Sequence, residues 1–477
     1  EQNKLPQDYL NIYSNENLNL SFLQPSFHYL DTLFKCRIVP IVGAQFYANS
    51  NGEVAKRWVG ADVQTSMGKH LSIYASLRDY AHKGEIISKP NYLNNYDGGA
   101  YKSIGDYSEM RGGINYSWNW GTIGLIKDHI EWGDNYHGSN IISPRAPSFP
   151  MIKLGLKPTK WAELNYIHGW LVSNVIDSTR YYVENTGKKK YRYAYKYMAA
   201  NMLTITPVKK LNISIGNSII YSETNIQPAY LIPFMFYKSI DHTLTMNTEN
   251  QNSQIFFDIS SRNINHLHLY SSIYIDEIKF SRFNPNNPET NPISYKVGAK
   301  LNNFLIENIS FTAEYTHTSI INYKHSILTL TYASNDYNLG NYLGDNSQEI
   351  YLAMNYKPIK GLNLTLSYIN AKHGNEYEYL RRDENNVVRI LNIISQDFMK
   401  DVVWTNETYS FNALYEIINN IYAGVTVEYS NIQGHNAVSE AIIGEDRYTA
   451  QEYLDLYTPK FLQGKNLTLG MNLSIGF

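Results

Sequence analysis

The chain has 477 residues, with 41 Lys and Arg against 43 Asp and Glu for a formal net charge of −2. A mean hydropathy of −0.38 and the lack of any run of eighteen apolar residues exclude a bundle of membrane helices. The near-neutral charge argues against nucleic acid as a partner.

A membrane β-barrel passes these tests, because only every second strand residue meets lipid. The 42 Tyr residues suit a barrel, since amphipathic rings collect at membrane interfaces. Cys36 is the only cysteine, so no internal disulfide and no cysteine-based metal site is expected. The opening Glu1-Gln2, with neither initiator Met nor apolar leader, predicts a mature form whose export signal has been removed. No lipid-bearing cysteine stands at the N-terminus, so anchoring is expected from the barrel itself.

Residues 1–35 are Asn-rich and lack periodicity; they are expected on the periplasmic side or as a plug in the lumen. From Cys36 onward the chain alternates with period two. Leu71, Ile73, Ala75 and Leu77 interleave with Ser72, Tyr74, Ser76 and Arg78. Leu211, Ile213 and Ile215 interleave with Asn212, Ser214 and Gly216, and Leu362, Leu364 and Leu366 with Asn363, Thr365 and Ser367. Strands are predicted over 36–48, 54–66, 69–79, 109–119, 120–130, 149–157, 160–174, 190–206 and 210–222. The remainder are 252–262, 265–275, 292–303, 307–319, 346–357, 361–372, 402–417, 421–431 and 465–477. About eighteen strands result, and 325–333 reads as a further strand inside its loop.

The connections alternate in length. Lys157-Pro158-Thr159-Lys160, Pro207-Val208-Lys209-Lys210 and Lys357-Pro358-Ile359-Lys360-Gly361 are tight turns, with proline where no ladder hydrogen bond is needed. Between them run long polar segments near 80–108, 131–149, 176–190, 223–250, 276–291, 321–345, 373–400 and 432–464. Short periplasmic turns and long outer loops are the habit of transmembrane barrels. The final strand states the rule most clearly. Leu467, Leu469, Met471, Leu473, Ile475 and Phe477 share one face, and Asn466, Thr468, Gly470, Asn472, Ser474 and Gly476 the other. The fold class predicted is therefore all-β: a transmembrane antiparallel barrel of about eighteen strands over 36–477, in the bacterial outer membrane and bathed in its lipid. Phe477 resembles the C-terminal signal read by the barrel-assembly machinery, an expected partner.

Three stretches stand apart from strand and loop filler. The first is Glu131-Trp132-Gly133-Asp134 followed by Ser139 to Pro150, the second Gln227 to Phe236, and the third Leu339-Gly340 through Gln348-Glu349. In this order and spacing they resemble the Wzi family of outer-membrane proteins, across most of residues 110–370. The resemblance implies an eighteen-stranded, lectin-like barrel that attaches capsular polysaccharide to the cell surface and catalyses no reaction. Residues 1–35 do not read as the helical bundle that the family carries on its periplasmic side.

In the first stretch Trp132 offers a flat face to a pyranose ring, while Asp134, His137 and Arg145 offer directional hydrogen bonds and charge. The same residues would also suit a loop folded into the barrel mouth. In the second, Pro228 and Pro233 bracket an apolar run too irregular for a strand. Tyr230, Phe234 and Phe236 there are expected either tucked into the lumen or in contact with another outer-membrane protein. Arg381-Arg382-Asp383-Glu384 reads as a solvated loop tip. His266 and His268 share a predicted strand face but lack a third metal ligand. Asp336, Asn338 and Asp345 lack the spacing of a calcium loop. No Gly-x-Ser-x-Gly, phosphate loop or His-Glu-x-x-His element is present, so neither cofactor, metal nor enzymatic activity is expected. An accessory subunit of a larger outer-membrane machine and a porin-like channel are the alternative functions.

Overall fold

The structure is a computed structural model; it describes residues 11–476 apart from 16–17, 22–25, 85–91, 94–104, 245–250, 285, 288, 305, 376–379, 383–387, 391–396 and 438–447. The tip at Asp383 and Glu384 and the terminal Phe477 thus lie outside the described residues.

Eighteen antiparallel strands form one closed barrel. They are β1 (Phe34–Asn49), β2 (Gly52–Met67), β3 (Leu71–Lys83), β4 (Asp106–Trp118), β5 (Gly121–Asp128) and β6 (Phe149–Leu156). Next come β7 (Ala162–Trp170), β8 (Tyr197–Val208), β9 (Leu211–Tyr221), β10 (Gln251–Ser261), β11 (Leu267–Ile275) and β12 (Ile293–Asn302). The last are β13 (Ile309–Thr318), β14 (Ser347–Tyr356), β15 (Leu362–Gly374), β16 (Val402–Ile418), β17 (Ile421–Gly434) and β18 (Gly464–Ile475). Each pairs with its neighbours in sequence, and β18 closes on β1 from Leu469↔Ala48 to Ile475↔Val42. The eighteen predicted strands match these one for one. Residues 325–333 add no barrel strand: Leu328–Leu330 is a 3-10 turn, and Ala333–Ser334 pairs with Tyr337–Asn338.

Alternation orients every wall. On β18 Leu467, Leu469, Met471 and Leu473 are exposed on the outer face, whereas Asn466, Thr468 and Ser474 are buried inside. The outer apolar band continues around the barrel through residues such as Phe46, Ile114, Ile215, Phe257, Phe311 and Leu366. Trp120 and Trp161 are exposed at the rim of short turns, where amphipathic rings meet the membrane interface. Pro207 falls at an irregularity in the β8–β9 register between Ile205 and Val208, where its missing N–H breaks no regular ladder. No described helix is long and apolar enough to cross a membrane.

The described part of the N-terminal segment is not helical. Asn11–Asn15, Leu18–Ser21 and Ser26–Leu30 form a small meander, whose last strand pairs with β1 at Lys35 to Ile38. It continues the edge of β1 where β18 stops, on the short-turn side.

The core lies inside the lumen, in its half nearest the long loops. The 129–148 and 319–346 connections fold inward and pack Ile141, Ile142, Leu330, Tyr332 and Leu339 against the wall at Met198, Ile220, Phe256 and Tyr274. The 222–250 connection adds Tyr230 and Tyr237 to wall tyrosines 166, 197 and 221. Gly298 shows how closely the wall is packed: a Cβ there would lie 2.2 Å from the Tyr270 ring, its cross-strand neighbour.

Candidate functional site

The inward loops exist because their polar backbone finds partners. Asn140 Nδ2 donates to the Ser272 and Ser294 carbonyls at 3.3 and 3.1 Å, and Ser272 Oγ donates to Asn140 Oδ1 at 2.6 Å. Tyr323 and Tyr332, on the other inward loop, donate to the Asn140 and Ile141 carbonyls at 2.6 and 3.0 Å. Burial pushes both phenols above their ordinary value, so each keeps the proton that makes these bonds.

Where the two loops meet on the long-loop side they leave a cavity of 210 Å³ lined by Tyr92, Arg145, Lys324, Asp336, Asn338, Tyr342, Asp345 and Tyr457, among others. Tyr457 is the last residue of helix α1 (Ala450–Tyr457), whose start is fixed by a capping box between Thr449 and Glu452. Its ring stacks on Tyr92 at 3.8 Å, and Tyr92 stacks in turn on His373 at 4.2 Å. Trp404 Nε1 donates to Thr458 Oγ1 at 2.8 Å and holds the helix end against the barrel rim.

Arg145 enters from the 129–148 inward loop. Its Nη1 donates to the Tyr342 carbonyl at 3.1 Å, and its guanidinium lies 5.6 Å from the Tyr337 ring centre and 5.9 Å from that of Tyr342. Lys324 and Asp345 face each other at 3.1 Å, and Asp345 Oδ2 accepts from the Ile321 amide at 3.0 Å. Asp336 sits in the two-residue turn Asn335-Asp336, both at positive φ (52° and 67°), a conformation that Asn and Asp tolerate. Flat aromatic faces, two cations and two carboxylates therefore converge on one small space. Such a set can stack on one face of a sugar ring and hydrogen-bond its hydroxyls.

Of the residues predicted to bind a sugar only Arg145 lines this cavity, joined there by Asp336, Asn338 and Asp345, which the sequence singled out only as lacking the spacing of a calcium loop. Trp132 is half-buried in the lumen, bridged to Ile142 and edge-on to Phe256 at 6.4 Å. The Asp134 amide donates to Asp258 Oδ1 at 3.0 Å, and the Asp134 carboxylate lies 3.6 Å from Arg262 in a short turn. His137 stacks on Tyr351 at 3.9 Å and approaches Glu349 at 3.5 Å. These three brace the inward loop. Tyr230 is buried in the tyrosine cluster, whereas Phe234 is 72% exposed and Phe236 is also exposed. His268 is buried in the lumen, but His266 lies in the preceding turn at φ 66° with Nδ1 on the Asn302 carbonyl, so the two share no strand face.

Tyr92, Lys324 and Tyr457 escaped the sequence reading because they lie in long connections without periodicity. The Asn335-Asp336 turn between Ala333 and Tyr337 was the one local signal pointing to structure there.

A family model described as capsule assembly protein Wzi matches residues 45–441. Among solved structures, Escherichia coli Wzi, described as an outer-membrane, carbohydrate-binding β-barrel involved in group 1 capsule assembly, is similar over 91% of this chain and 84% of its own, at 10% identity and a TM-score of 0.53. Pseudomonas aeruginosa OccK3 (OpdO) is similar over 92% of this chain and 95% of its own, at 9% identity and a TM-score of 0.47. A search of curated proteins finds no match. The family match spans most of the eighteen-stranded outer-membrane barrel described above, and the chain belongs to the Wzi capsule assembly family.

Proposed function

We propose that this barrel binds surface polysaccharide on its long-loop side without chemically altering it, seating one sugar unit against Tyr92, Tyr457 and Arg145. The observation that carries the reading is the convergence of stacked rings with Arg145, Lys324, Asp336 and Asp345 on a single 210 Å³ cavity. Sites that enclose drug-sized ligands measure roughly 300–1,000 Å³. A smaller cavity suits one unit of a chain that continues outside it. Trp132, Asp134 and His137 serve the same function indirectly, by holding the loop from which Arg145 projects. Assembly in the membrane would depend on machinery that reads the apolar closing strand and Phe477.

The test is retention of purified capsular polysaccharide by the detergent-solubilised barrel. Substituting Tyr457→Ala together with Lys324→Gln should weaken it by about thirtyfold or more, the scale of one lost stacking contact and one charged hydrogen bond. Unchanged affinity in a double variant that still migrates as a folded barrel would sink the assignment. A second reading rests on Phe234 and Phe236, both exposed in the long 222–250 connection. They would contact another outer-membrane protein, and Phe234→Ser should then abolish a stoichiometric co-purifying partner while leaving polysaccharide retention intact.

A further inference from the structure

The 171–196 connection rises from β7 and β8 as a two-stranded ribbon, Ile176–Val183 paired with Lys189–Tyr193. Two-stranded hairpins are marginal on their own, and this one exposes an unusual surface. Tyr181, Tyr182, Tyr191 and Tyr193 are each 47–54% exposed. Tyr181 stands opposite Tyr191 in the register, with ring centres 5.8 Å apart.

The charge is equally one-sided. Arg180, Lys188, Lys189, Lys190 and Arg192 face only Asp177 and Glu184 within the ribbon, in a chain whose net charge is −2. Asp177 lies 3.9 Å from Arg180, and Glu184 lies 3.5 Å from Lys190. Lys188, Lys189 and Arg192 form no ion pair among the described residues. Lys189 lies over a ring instead, 4.5 Å from the Tyr181 centre, and Arg180 in addition to its contact with Asp177 lies 3.9 Å from the Tyr195 centre.

The base of the ribbon is continuous with the cavity. Asn174 Nδ2 donates to Asp336 Oδ2 at 2.7 Å, Lys196 Nζ donates to the Thr331 carbonyl at 2.7 Å, and both Asp336 and Thr331 line the cavity. The ribbon base thus adjoins the residues that wall the cavity.

We infer that this hairpin is a second docking surface for the same polymer, and that the polymer is an acidic polysaccharide bearing carboxylates along its length. The inference rests on the proposed polysaccharide binding and adds the ligand's charge. Neutral sugars would use the tyrosine faces alone and leave the surplus cations idle. A polyanion engages both, releasing counter-ions as it binds, so its affinity falls with salt.

The experiment uses the full chain in nanodiscs of neutral lipid, with polygalacturonate as the acidic probe and dextran as the neutral one. The acidic polymer should bind more tightly, and the triple substitution Lys188→Gln, Lys189→Gln and Lys190→Gln should weaken it by about tenfold at low salt while erasing most of its salt dependence. The exposed ribbon tip makes loss of folding a poor explanation, and heat-modifiable gel migration checks it. Equal binding of both polymers, or an unchanged acidic affinity in the triple variant, overturns the inference. So does a triple variant that loses attachment to anionic-lipid vesicles but not to polygalacturonate, which would make the ribbon a lipid contact. If Tyr457→Ala abolishes binding and the triple variant does not, the cavity stands and the ribbon falls. If neither polymer binds the unaltered chain, the polysaccharide reading itself fails.

Discussion

Asn174 and Asp336, far apart in sequence, are joined by a 2.7 Å hydrogen bond between side chains, and both residues adopt positive φ. That bond ties the exposed ribbon to the turn that walls the cavity. Asn174→Gly keeps the backbone conformation and removes this bond together with the 3.1 Å bond from Asn174 Nδ2 to Asn335 Oδ1. The amides of 333–338 should then exchange about fivefold faster, the equivalent of roughly 1 kcal/mol. Asn174→Ala should speed them further, because it also strains a left-handed backbone by about 1 kcal/mol. Equal exchange in Gly and Ala variants would show that the side-chain bonds alone matter.

Lys296 and Glu314 form a 3.0 Å ion pair inside the lumen, with each side chain about 1% exposed. Lys296→Met should destabilise the barrel by about 3–5 kcal/mol, because it strands a buried carboxylate. Adding Glu314→Leu should recover only part of this, since Glu314 Oε1 also accepts from the Tyr136 amide at 2.6 Å and the Tyr270 hydroxyl at 2.5 Å. Thermal unfolding of the single and double variants measures both steps.

Asn140 is fully buried where the inward loop meets β11 and β12. Asn140→Leu keeps the bulk but orphans Ser272 Oγ, at about 1–3 kcal/mol for a buried polar group. The inward loops should open more often, and single-channel records in planar bilayers should show more frequent current bursts than those of the unaltered barrel. Records no different from those of the unaltered barrel would mean that other contacts hold the inward loops without Asn140.

Two buried groups beside the barrel rim give the loop packing an uneven pH response. Burial pushes the Asp276 carboxyl up to about 7, and burial lowers the Lys196 ammonium to about 7. Folded Asp276 holds a proton that the unfolded chain lacks between 3.8 and about 7, so its contribution is full below 3.8 and is lost as pH rises through 7. For Lys196 the unfolded chain holds the extra proton between about 7 and 10.5, so stability rises with pH across that window. Thermal midpoints at about pH 5, 7 and 9 should therefore be lowest at 7. Asp276→Asn should flatten the acid limb and Lys196→Met the alkaline one. A midpoint that changes in one direction only would contradict the pair.

The barrel was legible because lipid outside and polar lumen inside impose period two on every wall. Leu467 to Leu473 and Leu362 to Leu366 carry that pattern without interruption. The loops were not legible to the same degree. Ile141 and Ile142 are buried, but they are adjacent residues in an irregular segment and no periodicity marks the direction they face. Arg145 was recognisable from its proline-flanked setting, whereas Tyr92 and Tyr457 become neighbours only when the 84–105 and 435–463 connections fold together at 3.8 Å. Trp132 fits both a sugar platform and a luminal brace by residue type, and only its bridge to Ile142 decides where it lies.

The barrel closes where Ala48 meets Leu469, near opposite ends of the chain. Every other junction in the wall joins strands that are consecutive in sequence, and forms as a local hairpin or across one loop. The closing ladder must wait until nearly the entire chain has been ordered, and it bears the largest loop-closure entropy of any pairing in the barrel. Until then β1 and β18 present bare hydrogen-bonding edges, the part of a sheet most prone to pair with the wrong chain. The small meander that pairs with Lys35 to Ile38 covers one stretch of that edge early, because it directly precedes β1 in the sequence and needs no distant partner.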